Sequence, residues 1–476
     1  MFGTTNPRGR RDCLFAFLLL CTSLLRAEAE APRPTLGVIR WDGYSGSPVW
    51  TQQQEFGFLK PAQFHWRLPW FVELTGSPDA PFRFNPKFEQ TVVQEITDQE
   101  IAYAVGAGID YWAFCHFGKH KGDGWQLRNS LQAYLDSAHK ASINFALICL
   151  GVHIGAGVGD GAVTPEKTWD DWVAYVAEYS ELVREATYQR VLAGRPLFYI
   201  MGPKELSINL GDEDYATDKL QEAVAYLRAQ FQQAGVGNPY IVGMNSGGIW
   251  AAKYVDEAGL DAVSAYYGGF GGTVEGTPFR DLWGHIKADF LENPDMGGGA
   301  RKVVVPLVSG CDQSPRHADR ARYLEPEPGE LTDLVTSAFD YVAAHSAKCE
   351  SNTVLIYAWN EHSEGGFICP IIGEDLDPAT PDTRRLDEIG RALAEWRNEE
   401  RHDADADGGT EIPVSRLLGV VRPSRARTVT MVTATSVSPA PGPRRAASTD
   451  SVLGRGRRGS VPSACRGCAK LCATSH

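Results

Sequence analysis

The chain has 476 residues, 43% of them hydrophobic and 22% charged, a balance that suits a folded globular protein rather than a disordered one. Its formal net charge of −13 argues against a nucleic-acid groove in the main domain. The length exceeds one barrel-sized domain, so one large domain with tails is expected. The 12 Trp, 17 Tyr and 20 Phe are more aromatic surface than a core alone usually needs. Sugar clefts use such rings, because the apolar face of a pyranose stacks on them.

At the N-terminus, Arg8, Arg10 and Arg11 precede an apolar run over 13–25, and the small residues Ala27, Ala29 and Ala31 follow. Basic, then apolar, then small is the order of a secretory signal peptide, expected over 1–31. The run is short for a membrane span, and an uncleaved anchor is the alternative. The mature protein is therefore expected to be secreted or periplasmic, with no stable membrane span.

The domain expected over 32–402 alternates short apolar runs with longer amphipathic stretches. Strands are predicted over 36–41, 109–114, 145–150, 196–201, 240–244, 262–267, 302–309 and 353–359. Most are nearly continuous apolar runs, as strands buried on both faces should be. Helices are predicted over 94–105, 127–139, 168–186, 217–233, 249–257, 278–291, 330–344 and 383–396. Eight of each, in alternation, point to an α/β fold of the (β/α)8 TIM-barrel type, with a doubly wound open sheet as runner-up. There is no G-x-G-x-x-G and no P-loop, so no nucleotide cofactor is expected.

The segment 42–94 is a long insertion after strand one, rich in aromatics such as Trp50, Phe58, Phe64, Trp66 and Trp70. Long structured loops are usually functional, and loops after barrel strands form the catalytic face. An extra hairpin packed over the barrel is the plainer reading, and both can hold. From Asp403 the chain turns to Ser, Thr, Pro and Arg with little periodicity, so 403–476 is expected to be a disordered basic tail.

The domain carries Cys115, Cys149, Cys311, Cys349 and Cys369. An odd count leaves at least one free thiol or a cross-link to the tail. Cys311 and Cys369 follow neighbouring predicted strands and are the first choice for a disulfide.

The strongest local feature is strand eight and its exit, where Thr353-Val-Leu-Ile-Tyr-Ala breaks into Trp359, Asn360, Glu361, His362, Ser363 and Glu364. Polar residues at the C-terminal end of a barrel strand sit where active sites are built. Glycoside cleavage needs a proton donor for the leaving oxygen and a second carboxylate, and Glu361 and Glu364 supply such a pair. Gly365 and Gly366 give the turn freedom for both to reach one ligand. Other strand ends offer polar groups in the same layer: Asp42, His116, His153, Asn245, Tyr266, Tyr267 and Asp312. Their recurrence describes a ring around one mouth. The histidines sit mostly on separate loops and no H-E-x-x-H is present, so no catalytic metal is expected.

The run Tyr357-Ala-Trp-Asn-Glu-His-Ser-Glu-Gly resembles the N-E-x-x-E-G signature of the glycoside hydrolase family 99-like and WbsX-like barrel superfamily, through Asn360, Glu361, Glu364 and Gly365. The opening Gly37-Val-Ile-Arg-Trp-Asp-Gly-Tyr and the segment Phe64-His-Trp-Arg-Leu-Pro-Trp-Phe look like a branch of the same group. The resemblance implies that both glutamates are catalytic. Glu361 would withdraw the proton from the sugar 2-hydroxyl, which then attacks the anomeric carbon to give a 1,2-anhydro sugar. Glu364 would protonate the leaving oxygen and later activate water, with net retention.

The expected function is a secreted, retaining glycoside hydrolase acting on an extracellular glycan or polysaccharide. Asp42, His65, Arg67, Trp112, His116, Asn245, Tyr267, Trp359 and Asn360 are expected to line the sugar subsites. The alternatives are a non-catalytic carbohydrate-binding barrel and a glycan-modifying transferase of the WbsX-like kind. The oligomeric state is open.

Overall fold

Eight parallel strands pair in the order of a closed cylinder: β1 (Thr35–Arg40), β2 (Tyr111–His116), β3 (Asn144–Leu150), β4 (Arg195–Met201), β5 (Tyr240–Asn245), β6 (Ala262–Ala265), β7 (Val305–Val308) and β8 (Thr353–Tyr357). The computed structural model describes residues 32–44, 56–75, 82–83, 90–118, 129–155, 163–213, 216–245, 251–267, 272–377 and 379–406. The expected signal peptide and the tail beyond 406 lie outside the described residues.

β1 bridges β8 and β2, with Gly37 opposite both Leu355 and Tyr111. The last gap, between β6 and β7, is closed by a parallel bridge from Val263 to Val303, where the Val263 amide donates to the Lys302 carbonyl at 3.0 Å. That bridge makes a barrel of what would otherwise be an open sheet, and it removes both sheet edges.

Besides a four-residue turn of helix at Phe56–Leu59 in the insertion, the described helices are α1 (Gln90–Ala107), α2 (Asn129–Asp136), α3 (Pro165–Leu182), α4 (Pro203–Asn209), α5 (Asp218–Gln233), α6 (Ala251–Ala258), α7 (Leu282–Ile286), α8 (Glu330–Ala344) and α9 (Arg384–Ala406). α3 shows why such segments are helical. Thr164 caps it by accepting from the Lys167 amide at 3.3 Å, Pro165 opens it, and Trp172, Tyr175, Val176 and Tyr179 form its buried stripe. α4 is an extra helix that the periodicity missed, because one short turn after Gly202 and Pro203 carries too few apolar positions to show a period. α9 runs past the domain boundary expected at 402. Among the described residues no helix is long and apolar enough to cross a membrane.

Strand parity sorts the side chains. The Tyr111 and Tyr199 hydroxyls meet at 2.7 Å, and β2 and β4 do not pair, so the two tyrosines join through the barrel interior. Gly37 makes room for them, since a Cβ there would fall 2.0 Å from Tyr111 Cζ. Trp112, Phe114 and His116 have the opposite parity and pack outward. Trp112 and Phe114 meet Tyr134 of α2, and His116 meets Tyr175 and Tyr179 of α3.

The described part of the insertion after β1 forms a second small core of Tyr44, Leu59, Leu68 and Val72 with Ile372. It also contains a short antiparallel pairing of Glu73–Leu74 with Phe82–Arg83, as the hairpin reading expects. The five domain cysteines are all buried and form no disulfide among the described residues, which overturns the expected Cys311–Cys369 bond. Cys311 lies at the mouth against Tyr267, at 2.7 Å, while Cys369 reaches the Glu100 carboxylate of α1 on the outer face of the barrel, at 3.4 Å.

Candidate active site

The site grows from the abrupt end of β8. Tyr357 is the last residue of the strand, and the chain then folds into a 3-10 turn over His362–Glu364, closed by Gly365 at φ 78°. A left-handed residue at that position suits glycine. A Cβ at Gly365 would also press on the Asp312 backbone at 2.7 Å. The Asp312 amide donates to the Glu364 carbonyl at 2.8 Å, so the loops after β7 and β8 are fastened together.

Glu361 and Glu364 are both buried, at 5% and 8% exposure. Glu361 Oε1 accepts from the Tyr266 hydroxyl at 3.0 Å, and the Tyr266 oxygen lies 3.3 Å from Cys115 Sγ. Cys115 is on β2 and Tyr266 follows β6, so this chain of contacts crosses the mouth of the barrel. Glu364 Oε2 accepts from Tyr357 at 2.5 Å and from Gln313 Nε2 at 3.1 Å. Its Oε1 is taken by an ion pair with Arg316, whose other terminal nitrogen stands 3.9 Å from Glu361 Oε2. One guanidinium therefore faces both carboxylates, with the ring of Phe58 from the insertion 5.2 Å away. Burial first, then the two glutamates, pushes the Tyr357 pKa far up; burial, Cys115 and Glu361 do the same to Tyr266. Both hydroxyls keep their protons and act as donors.

Side chains behind the glutamates fix the loops. Arg67 pairs with the Asp312 carboxylate and donates to its carbonyl at 3.0 Å. Burial works against the Asp312 carboxylate, but Arg67 and Ser314 outweigh it and hold its pKa below the ordinary value. His362 is fully buried, stacked on Phe367 with centroids 5.2 Å apart. Burial, helped by the Arg385 and Arg67 charges, drives its pKa down to about 3 against the pull of the nearby Arg67 backbone.

The other expected site residues divide. Tyr267 joins the mouth, its ring edge-on to Tyr357 at 5.0 Å. Asp42 opens the turn after β1 and Asn245 ends β5, both at the C-terminal ends of their strands. His65 lies on the insertion, its Nε2 2.9 Å from the Lys60 carbonyl. Asn360 is a fastener: its amide accepts from the Trp41 amide at 3.0 Å and donates to the Trp41 carbonyl at 2.5 Å, tying the ends of β8 and β1. Trp112, His116 and Trp359 are not brought to the mouth. Trp359 donates to Glu100 of α1 at 3.2 Å, and His116 Nε2 lies 3.2 Å from Glu178 of α3, so both belong to the layer between barrel and helices. For Trp112 and His116 strand parity decides the face; Trp359 lies beyond Tyr357, the last residue of β8, where the alternation no longer holds.

The residues that sequence reasoning missed are Arg316, Gln313, Tyr357 and Cys115. Tyr357 and Cys115 could have been found from parity, as the inward positions nearest the strand ends. Gln313 and Arg316 sit in the polar run directly after β7, where the same strand-end argument applies.

A closed parallel barrel with a buried carboxylate pair at its C-terminal mouth defines the class of the protein as a TIM-barrel protein with an enzyme-like site. No protein-family model matches the chain, and no curated protein matches it. Solved structures that it is similar to include the GH99 endo-alpha-mannosidase from Bacteroides thetaiotaomicron in complex with bis-tris-propane. That likeness has 15% identity and a TM-score of 0.41, over 77% of this chain and 98% of the other. A second structure named as the same mannosidase gives 16% identity and a TM-score of 0.39, over 65% and 81% of the two chains. A glycoside hydrolase family 5 structure from Bacteroides vulgatus gives 11% and 0.35, over 70% and 73%. The barrel itself is defined by strand pairing in this chain.

Proposed function

We propose that the protein is a secreted glycoside hydrolase that cleaves an extracellular glycan or polysaccharide with Glu361 and Glu364. The observation that carries this reading is the buried pair on one turn at the C-terminal mouth, each carboxylate aligned by its own tyrosine hydroxyl. Glycosidic cleavage calls for two carboxyl groups acting on one bond, and the barrel mouth is where such groups meet a substrate. The N-E-x-x-E-G motif supports the assignment of roles. Glu361 takes the proton of the sugar 2-hydroxyl, whose oxygen attacks the anomeric carbon as the glycosidic bond breaks. Glu364 gives a proton to the departing oxygen and then takes one from the water that opens the 1,2-anhydro sugar. Two inversions leave the anomeric configuration retained.

One observation favours a second reading, a carbohydrate-binding barrel without turnover. Every oxygen of Glu364 is engaged by Arg316, Tyr357 or Gln313, an arrangement that binds without needing to react. The purified protein, incubated with α- and β-linked oligosaccharides and read by product mass, separates the two. Release of sugar by the wild type, lowered by about 10²–10⁴-fold in Glu364→Gln and in Glu361→Gln, is the expected result. Binding with no release by the wild type selects the second reading, and release that survives both substitutions removes the pair from the chemistry.

A further inference from the structure

We infer that the mouth is built for an acidic sugar, with Arg316, Arg320 and His317 receiving a carboxylate or sulfate group carried by the glycan. This deepens the proposed function and rests on its placing of the sugar at Glu361 and Glu364.

The argument begins with Arg316. Its side chain is only 17% exposed, and its guanidinium faces both glutamates. Tyr357 and Gln313 fill Oε2 of Glu364, and Arg316 holds its Oε1. A sugar that presents its leaving oxygen to Glu364 competes with the guanidinium for Oε1. A neutral sugar offers hydroxyls, which do not replace the charge of Glu364 beside this half-buried cation. An anionic substituent gives the guanidinium a planar or tetrahedral oxyanion to fork, so the ion pair is exchanged rather than lost.

The neighbours fit the same partner. Arg320 donates to Gln313 Oε1 at 3.0 Å, one side chain away from Glu364, and has no carboxylate partner among the described residues. His317 is partly exposed beside them; burial, then Arg320 and Arg316, hold its pKa below the ordinary value against Asp319 and Glu364, so it adds a neutral imidazole hydrogen-bonding group while the two arginines supply the charge. The segment Gln313-Ser-Pro-Arg-His-Ala-Asp-Arg-Ala-Arg322 carries three arginines against one aspartate, in a chain whose net charge is −13. A solvated charged face would leave its arginines in water. Here the first of them is inserted against buried carboxylates, and the second is bonded to the glutamine that holds one of them. Such a local reversal of sign focuses an anion on the mouth of an otherwise repelling molecule.

The test uses the full chain at physiological salt, where surface charge effects are screened. Affinities are measured by calorimetry for alginate oligosaccharides and the same oligosaccharides after carboxyl reduction, and for sulfated and unsulfated dextran oligosaccharides. At least one acidic series is expected to bind about tenfold or more tightly than its neutral match, and the winning series identifies carboxylate or sulfate. Arg320→Gln, exposed enough to fold, is expected to remove most of that preference, and Arg316→Lys, which keeps the charge and loses the fork, to weaken it. Equal affinity within both pairs, or a preference that Arg320→Gln leaves intact, overturns the inference. The hydrolase reading is scored separately on the same sugars: preference without cleavage sinks that reading alone, and cleavage without preference sinks this one alone.

Discussion

Tyr266 and Tyr357 do different work on the two glutamates. Tyr357 shares Glu364 with Arg316 and Gln313, whereas Tyr266 is the hydroxyl donor to Glu361 and is itself met by the buried thiol of Cys115. Removing the Tyr266 hydroxyl loses one aligned hydrogen bond to a charged group and leaves the ring packing with Tyr357 in place. Tyr266→Phe is therefore expected to fold normally and to lower kcat about tenfold with little change in KM, as steady-state kinetics would show. At this scale the sequence was partly legible. Glu361 and Glu364 stood out because charge at the end of an apolar strand has no packing explanation. Arg316 did not, because an arginine in a polar loop has the same composition signal whether it is solvated or turned inward against a carboxylate.

The elements of the barrel are joined by side chains that satisfy one another's backbone. Glu388 of α9 reaches the start of α8, where its carboxylate accepts from the Gly329 amide at 2.8 Å and the Leu331 amide at 3.1 Å. It thus caps a helix that begins at a left-handed glycine with no side-chain cap of its own. Glu388→Ala is expected to cost about 1 kcal/mol of stability, measured by urea unfolding, and Glu388→Gln less. The insertion after β1 is tied in the same way. Arg67 holds Asp312, Tyr44 lies edge-on to His362 at 5.0 Å, and Trp66 meets Phe367 at 6.2 Å, so the insertion braces the two loops that carry the site. The strands were legible because continuous apolar runs repeat eight times. The bracing was not, because it depends on which loop residues meet, and that is a property of the closed barrel.

At the scale of the molecule, His362, Asp312 and Asp382 all push stability in one direction as the medium is acidified. His362 titrates near 3 in the folded protein, depressed from 6.5, so the unfolded chain binds its proton first as the medium is acidified. Between about 6.5 and about 3 this residue therefore takes stability away as the pH falls. Asp312 and Asp382 are also lowered, through Arg67 and Arg384 respectively against the cost of burial, and their contribution fades as pH falls below the ordinary carboxylate range. Urea midpoints are thus expected to fall steadily from pH 6.5 to pH 4, and His362→Phe, which keeps a ring against Phe367, to flatten the upper part of that slope. A profile that is flat for the wild type would mean that His362 is solvated or charged in the native state. The closed topology itself was legible as alternation of two element types. Which residues face the mouth was not read correctly for Trp112 and His116, whose parity on β2 turns them outward, nor for Trp359, which lies past the end of β8, where strand alternation stops.

The placing of Glu361 and Glu364 on one turn has a mechanical consequence. Carboxylates mounted on separate strands would drift apart and together as a cylinder of strands flexes. Here the spacing is set by a few covalent bonds and the 3.3 Å contact of the Gly365 amide with the His362 carbonyl. Deformation of the barrel would first misalign Tyr266 and Arg316, which arrive from other loops, and leave the distance between the two acids nearly constant. Heat and denaturant should therefore detune the pair's surroundings well before they disassemble the pair.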